Sequence, residues 1–399
     1  MRIGLISLYA CGNIGDEAIL RCLVHRLRAE GLADEFVNIA VGPPGAVVVP
    51  IPHDADAMGD HPCFTESFKA IPNDRALNWR RLVLKGDVTR AGRAIRDLDL
   101  MLWAGGYLLH DRRPGVLLNV AFLARNVRRD SHLGLYAVGA GPLTTPLGRF
   151  LVRRVARRTS FLSVRDEGSR DVLCEAGVRN EIIVTVDPAV ELESCSPETA
   201  RQIIAGTGLD PDRPIIGICP CAWMSMDEYY TRTKGAFDHV VLVLADVARR
   251  AVSEGFQVII LPTMWPEDGE TGRQMCDEVA SGAVRIVADQ LPAPQAQGVL
   301  GQCAAVLTMR LHPAIFALNT HTPFVAVAYD RKVRAFMEQI ECPEACLSLQ
   351  EMNAPGLVAR LCAALDGAIA PPQKLAEMHR RQRERAVERG RLLRRAIGM

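Results

Sequence analysis

Arg310 and His312 stand two residues apart in TMRLHPAIFAL, residues 308–318, after a run of apolar residues and just before Pro313, which suits the first turn of a helix. A guanidinium and an imidazole at a strand-to-helix junction can contact one anion together, and the imidazole can move a proton near neutral pH. Leu311, between them, belongs to the same stretch. The plainer alternative is a histidine that only caps the helix. Arg165 lies in SVRDEGSRDVL, residues 163–173, where an apolar run ends and Asp166 opens a helical pattern. A strand-end arginine suits a forked grip on carboxylate or phosphate. Its alternative is an Arg165–Asp166 pair that merely caps the helix. In AYDRKVRAF, residues 328–336, Asp330 opens a further helix with Lys332 in its first turn. Cations at a helix N-terminus oppose the dipole, so they ask for an anionic partner. The chemistry indicated is the handling of a phosphorylated anion.

Two glycine segments add close backbone approach. In ACGNIGDEAI, residues 10–19, Gly12, Asn13 and Gly15 lie between an apolar run and a helical pattern. Glycines allow a tight turn, and the helix N-terminus offers free N–H groups to an anion. The segment is neither GxGxxG nor a Walker loop, so it does not establish nucleotide binding. Asp16 and Glu17 would also cap the helix. In AGGYLLHD, residues 104–111, Gly105 and Gly106 follow a buried-type run, and His110 reads as a loop residue. In PTMWPEDGE, residues 262–270, Glu267 and Asp268 either cap a helix or bind hydroxyls of an acceptor.

The elements that must position these residues follow from short Val- and Ile-rich runs. Residues 3–7, 100–106, 133–141, 161–164 and 182–187 read as buried strands. Helical patterns over 17–30, 147–158 and 167–176 lie between several of them, the last stopped by Gly177. Strands alternating with helices mean βα units and a largely parallel sheet. Residues 42–98, rich in Pro, Asp and His, fit the rhythm less well. The rhythm restarts after a boundary near Glu193–Pro214, with strands at 215–220, 258–262, 284–289, 304–309 and 324–329 and an apolar helix over 237–255. The fold class is α/β, with two Rossmann-like domains over 1–195 and 212–370 and a basic helix over 371–399. Ligands in such sheets bind beyond the carboxyl ends of strands, and a cleft between two such domains is the expected site.

Composition sets the outer limits. With 399 residues, 49% hydrophobic and 23% charged, the chain reads as globular and too long for one core. Its formal net charge of +1 gives no global field toward nucleic acid, so attraction to an anion must be local. The start MRIGLISLY reads as a strand and not a signal peptide, and no apolar run is long enough to span a membrane. The twelve cysteines are scattered without zinc-finger spacing. They read as buried free thiols of a reducing, cytoplasmic compartment, and no metal site is implied. The arginine-rich end, Lys374–Arg395, is either a solvated helix packing Leu375, Met378, Leu392 and Leu393 or a peripheral contact with an anionic membrane face.

Taken together, GNIGDEAI, AGGYLLHD, VGAGPL at 138–143, SVRDEGS, VDPAV at 186–190, TMRLHP and TPFVAVAYDRKV resemble, in order, the polysaccharide pyruvyl transferase family over most of residues 1–340. The resemblance implies a glycosyltransferase-B-like architecture. It also implies transfer of pyruvate from phosphoenolpyruvate, as co-substrate and without a cofactor, onto two hydroxyls of a sugar as a ketal, releasing phosphate. The donor would be held by Arg165, Arg310, Leu311 and Lys332. His312 would protonate the methylene carbon, and Asp16 and Asp187 are the candidate bases. Gly12, Asn13, Gly15, Asp16, Gly105, Gly106, His110, Glu267 and Asp268 fall on the acceptor side or in loops. Tyr107 replaces a third glycine, and His110 stands where an amide is frequent, which bears on the acceptor. The acceptor is a saccharide or polyol, with a lipid-linked one and a homo-oligomer left open. Two rivals remain: a nucleotide-sugar glycosyltransferase on the same architecture, and a silent family member that binds a glycan or a partner.

Overall fold

The computed structural model describes residues 1–7, 12–32, 35–42, 45–50, 95–112, 114–222 and 234–399. Most of the irregular 42–98 segment, and Ala10 and Cys11 of the first glycine motif, lie outside the described residues. The chain forms two compact units. The first comprises Met1–Cys11, Asp16–Pro188 and Glu384–Met399, and the second Gly12–Gly15 and Ala189–Arg383.

In the first unit the strands are β1 (Arg2–Ser7), β2 (Glu35–Gly42), β3 (Gly45–Pro50), β4 (Leu100–Ala104), β5 (Tyr107–Leu109), β6 (His132–Ala140), β7 (Phe161–Val164) and β8 (Ile183–Val184). They order as β3-β2-β1-β4-β6-β7-β8, with β5 paired to β6. Pairing is parallel except between β2 and β3. Ile3 of β1 faces Phe36 on one side and Leu100 on the other. Every residue of β4 is buried, as a parallel strand covered on both faces requires. Trp103, Leu135 and Leu162 of the sheet pack with Leu123, Leu151, Val155 and Leu173 of the helices. The order reverses direction between β1 and β4.

In the second unit β9 (Ile215–Cys219), β10 (Gln257–Ile260), β11 (Val284–Ile286), β12 (Ala305–Thr308), β13 (Phe324–Ala328) and β14 (Cys346–Ser348) order as β11-β10-β9-β12-β13-β14. All pairs are parallel. This is the Rossmann order, and its switch point lies between β9 and β12, where such sheets bind ligands. Two Rossmann-like units are therefore present, as the alternating pattern predicts.

Several local expectations need correction. The first helix runs Ile14–Ala29 and not from Glu17, because Asn13 supplies the cap: its Oδ1 accepts from Gly15 N at 3.0 Å. Asp16 and Glu17 sit within the first turn instead. The run at 100–106 stops at Ala104, where Gly105 and Gly106 take positive φ values of +57° and +66° and break the strand before β5. The cysteines are not uniformly buried, since Cys174 and Cys362 are exposed. Among the described residues no cysteine forms a disulfide, and burial pushes the Cys303 thiol up to about 12. No helix of the described residues is long and apolar enough to cross a membrane.

The last helix, Pro372–Ala396, is structural along its length. Leu375, Met378 and Leu393 are buried. Arg389 is 1% exposed, lies 4.4 Å from the Tyr136 ring centroid and donates from Nη1 to Val186 O at 2.5 Å. In the second unit, buried His379 donates from Nε2 to Val190 O at 3.0 Å. Its Nδ1 therefore accepts from His321 Nε2 at 3.2 Å. Burial drives the His379 pKa down to about 4, and His321 adds to this against the carbonyl of Val190. The unfolded chain takes up this proton near 6.5, the folded chain only near 4. The contribution to stability is thus complete above about pH 6.5 and is lost as pH falls toward about 4. Urea midpoints between those pH values should fall less steeply in His379→Gln than in the wild type. Equal slopes would show that this pair does not titrate on unfolding.

Candidate functional site

Thr308 ends β12 and fixes the turn that follows. Its Oγ1 accepts from Arg310 N at 3.0 Å and donates to Arg310 O at 3.0 Å. Arg310 is the N-cap of the helix Leu311–Asn319, yet no side chain caps that helix and no acid lies in its first turn. The helix N-terminus is left as an anion site by its own backbone. This is also the carboxyl end of a switch-point strand.

Arg310 itself is locked. Asp268, fully buried, accepts Arg310 Nε on Oδ2 at 2.5 Å and Nη2 on Oδ1 at 2.6 Å. The same carboxylate accepts Ala222 N on Oδ1 at 3.1 Å and Met264 N on Oδ2 at 3.0 Å. Four N–H donors satisfy one carboxylate, which makes its burial tolerable. Burial alone would lower the proton affinity of Arg310, but Asp268, with Cys221 and Tyr329 behind it, overrides this and holds it well above the ordinary range. The fork uses one edge of the guanidinium, so Nη1 remains to meet a ligand. Sequence reasoning left Asp268 with a cap or an acceptor hydroxyl. The structure gives it to Arg310 instead.

Gly12–Gly15 joins this same unit. Asn13 bridges to Met264, Ile14 N donates to Thr263 O at 3.1 Å, and Trp265 N donates to Gly12 O at 2.9 Å. A Cβ on Gly12, whose φ is +73°, would meet Trp265 O at 2.3 Å. A Cβ on Gly15 would fall 1.8 Å from His312 Nδ1. The imidazole thus occupies the space a side chain would take, and glycine is required there by His312. Three motifs far apart in sequence meet here: residues 12–15, 262–268 and 308–312.

Glu267, the first residue of the helix Glu267–Val279, is half-buried, and its Oε2 has no hydrogen-bond partner. Lys332 lies beyond β13, with Nζ 5.2 Å from the centroid of Tyr329. The helix Arg331–Gln339 is capped by Asp330, whose Oδ1 accepts from Lys332 N at 3.1 Å. That cap, and not a ligand alone, answers the cations of this first turn. Burial pushes the Tyr329 phenol up, while Lys332 and Arg310 pull it down. Tyr329 was missed by sequence reasoning. Its only signal was its place before Asp330.

The other sequence-selected residues belong to the first unit. Arg165 Nη1 donates to Asp187 Oδ2 at 3.1 Å, and both residues are buried. Asp166 caps the helix Glu167–Glu175 through Ser169 N at 2.7 Å. Asp166 is therefore the helix cap read from sequence and also pairs with Arg165 Nε at 3.6 Å, while Arg165 Nη1 reaches Asp187. Asp187 is accordingly placed as the partner of a cation. Asp16 is half-buried in the first turn of its helix. Gly105 backs against Ile19, whose Cδ1 would lie 2.6 Å from an added Cβ. His110 is buried and so is Asp111, whose carboxylate accepts Thr145 N at 2.5 Å and Thr144 Oγ1 at 3.3 Å. Burial opposes its charge, but these bonds hold its pKa below the usual value.

Residues 13–331 match the model of a family described as polysaccharide pyruvyl transferase. The chain belongs to that family. The match takes in the motifs that carried the resemblance apart from Gly12 at the start of the first and Lys332 and Val333 at the end of the last. The amylovoran biosynthesis protein AmsJ of Erwinia amylovora is 21% identical over 419 residues, covering 98% of this chain and 97% of that one. The UDP-GlcNAc 2-epimerase of Neisseria meningitidis bound to UDP-GlcNAc superposes with a TM-score of 0.58 at 10% identity, covering 100% of this chain and 99% of that one. A glycosyltransferase from Rickettsia africae gives a TM-score of 0.58 at 10% identity, with 100% and 98% covered. At these identities the likeness establishes the glycosyltransferase-B type of fold alone.

The Asp268–Arg310 pair should dominate the stability of the second unit. Asp268→Ala leaves a buried guanidinium and two backbone N–H groups without their acceptor, at a cost of about 3–5 kcal/mol. A denaturation midpoint that moved by the equivalent of under about 1 kcal/mol would mean that the pair behaves as a surface ion pair.

Proposed function

We propose that this chain transfers the pyruvyl group of phosphoenolpyruvate onto two hydroxyls of a saccharide, forming a ketal and releasing phosphate. The observation that carries the reading is the locked Arg310. It keeps Nη1 outside the Asp268 fork and is itself the N-cap of a helix that no side chain caps and that bears His312, at the carboxyl end of a switch-point strand. A dianionic phosphate with a neighbouring carboxylate suits this set of fixed donors. Lys332, one strand further on and against Tyr329, adds a second cation.

In the proposed reaction, protonated His312 gives its proton to the methylene carbon of the donor. C2 becomes electrophilic, and a first acceptor hydroxyl adds to it, its proton returning to the imidazole or to a carboxylate. A second hydroxyl then displaces phosphate, which leaves with the remaining proton, and the ketal closes. Glu267, with a carboxylate oxygen unengaged by hydrogen bonds, is better suited to accept a hydroxyl proton than Asp187, which faces Arg165. The likeness to AmsJ, an amylovoran biosynthesis protein, supports a polysaccharide setting for the acceptor.

A second reading has its own support. The Neisseria epimerase of like fold is bound to UDP-GlcNAc, and a switch point that suits phosphoenolpyruvate also suits a diphosphate. Thermal unfolding separates the two. Phosphoenolpyruvate should raise the melting temperature of the wild type, UDP should not, and Arg310→Ala should abolish the shift. With a saccharide acceptor supplied, His312→Ala should keep the shift but lower phosphate release by about 10²- to 10⁴-fold. A shift with UDP alone would overturn the pyruvyl reading in favour of a nucleotide-sugar enzyme.

A further inference from the structure

We propose that the helix Pro146–Ala156 of the first unit docks on an anionic phospholipid surface. Gly148, Leu151, Val152, Val155 and Ala156 form its buried face. Leu147, Phe150, Arg154 and Arg157 recur at three- and four-residue steps on the other side, so they share one outward stripe. Leu147 and Phe150 are 53% and 51% exposed, two of the few large apolar side chains left open to solvent among the described residues. Their place one turn apart on one helix makes a patch and not a scatter.

Along this stretch of the chain the charge is of one sign. Arginines occupy positions 149, 153, 154, 157 and 158, and no Asp or Glu occurs between Asp130 and Asp166. Arg149, Arg153 and Arg158 donate to backbone carbonyls of Leu143, Ala176, Val127 and Arg128, which leaves their charge uncompensated. Arg154 and Arg157 are exposed, and among the described residues none of these arginines meets a carboxylate. The arginines of the C-terminal helix behave differently. Arg380 and Arg381 pair with Glu377, Arg391 pairs with Glu388, and Arg389 is buried. The C-terminal helix therefore pairs part of its charge on itself and has Leu375, Met378 and Leu393 packed inside the fold.

Arginines flanking an exposed phenylalanine and leucine match a bilayer of negative headgroups over acyl chains. A nucleic acid would use the arginines but leave Leu147 and Phe150 without a purpose. The helix is also held firmly for such a task. Thr145 caps it through Gly148 N at 3.0 Å, and Asp111 holds Thr145 N in turn.

The test is sedimentation of the full chain with vesicles of phosphatidylglycerol and phosphatidylcholine against pure phosphatidylcholine. Binding should require the anionic lipid and weaken with salt. Each arginine near an anionic surface is worth about fivefold, so Arg154→Gln with Arg157→Gln should weaken binding about thirtyfold. Leu147→Ser with Phe150→Ser should also weaken it, and all of these exposed changes should leave the melting temperature unchanged. Arg381→Gln with Arg391→Gln, on the C-terminal helix, should bind as the wild type does. No binding, equal binding to both vesicles, or loss only in the C-terminal variant would overturn the proposal. So would undiminished binding by the Leu147 and Phe150 variant, which would mark a general polyanion site.

Discussion

The second unit is organised around a carboxylate that water cannot reach. Asp268 is fully buried, and a bare charge there would be untenable. It is tolerated because N–H donors converge on it from the ends of β9, β10 and β12. The four donors come from three residues on different strand ends, so one carboxylate ties three segments together. The guanidinium it holds is consequently fixed in orientation before any ligand arrives. A preoriented cation stabilises charge without having to reorganise, and this separates a binding arginine from one that merely lies on a surface. The electrostatic pull of Asp268 also keeps Arg310 charged despite its burial.

A steric constraint of equal simplicity governs His312. The ring needs the volume that a Cβ at position 15 would fill. Gly15 can yield that volume only if the backbone of residues 12–15 is itself held in place. The bridge of Asn13 to Met264 and the bonds to Thr263 and Trp265 do so. Those residues lie just before the helix whose first turn carries Asp268. The loop after β10 therefore positions Arg310 through Asp268 and admits His312 through the glycine segment. Chemistry assigned to two side chains rests on a third segment that contributes mostly backbone.

Much of this was legible in the sequence, and the limits have physical reasons. Short Val- and Ile-rich runs gave β4, β9, β10 and β12, because a parallel strand covered on both faces has almost no polar positions. The motifs at 12–15 and 308–312 stood out because glycine, arginine and histidine at element ends are seldom there for packing. The short strand β14 escaped, since three residues carry no period. The partners of the arginines escaped for a different reason. Arg165 was read against its neighbour Asp166, and that pair is present at 3.6 Å, but Asp166 also caps its helix through Ser169 N, and a nearer counter-charge comes from Asp187, 22 residues away. Asp268 lies 42 residues from Arg310. Pairing across a sheet depends on which strands are adjacent, and spacing along the chain does not encode that.

The arginines show the same lesson at the level of charge. A count over 374–395 marks the C-terminal helix as the basic surface of the molecule, yet Arg389 lies against Tyr136 and others are matched by glutamates on the same helix. The helix Pro146–Ala156 has fewer basic residues but no acid near it in sequence. A surface field depends on uncompensated charge, so a count of basic residues alone does not rank the two clusters. The apolar residues follow the same rule. Leu375 and Leu393 are consumed by packing, whereas Leu147 and Phe150 are left outside because the inner face of their helix is already filled by Leu151, Val152 and Val155. Where a helix buries one complete face and still carries two large apolar side chains on the other, its own fold does not account for them, and the arginines beside them indicate the charge of the surface that does.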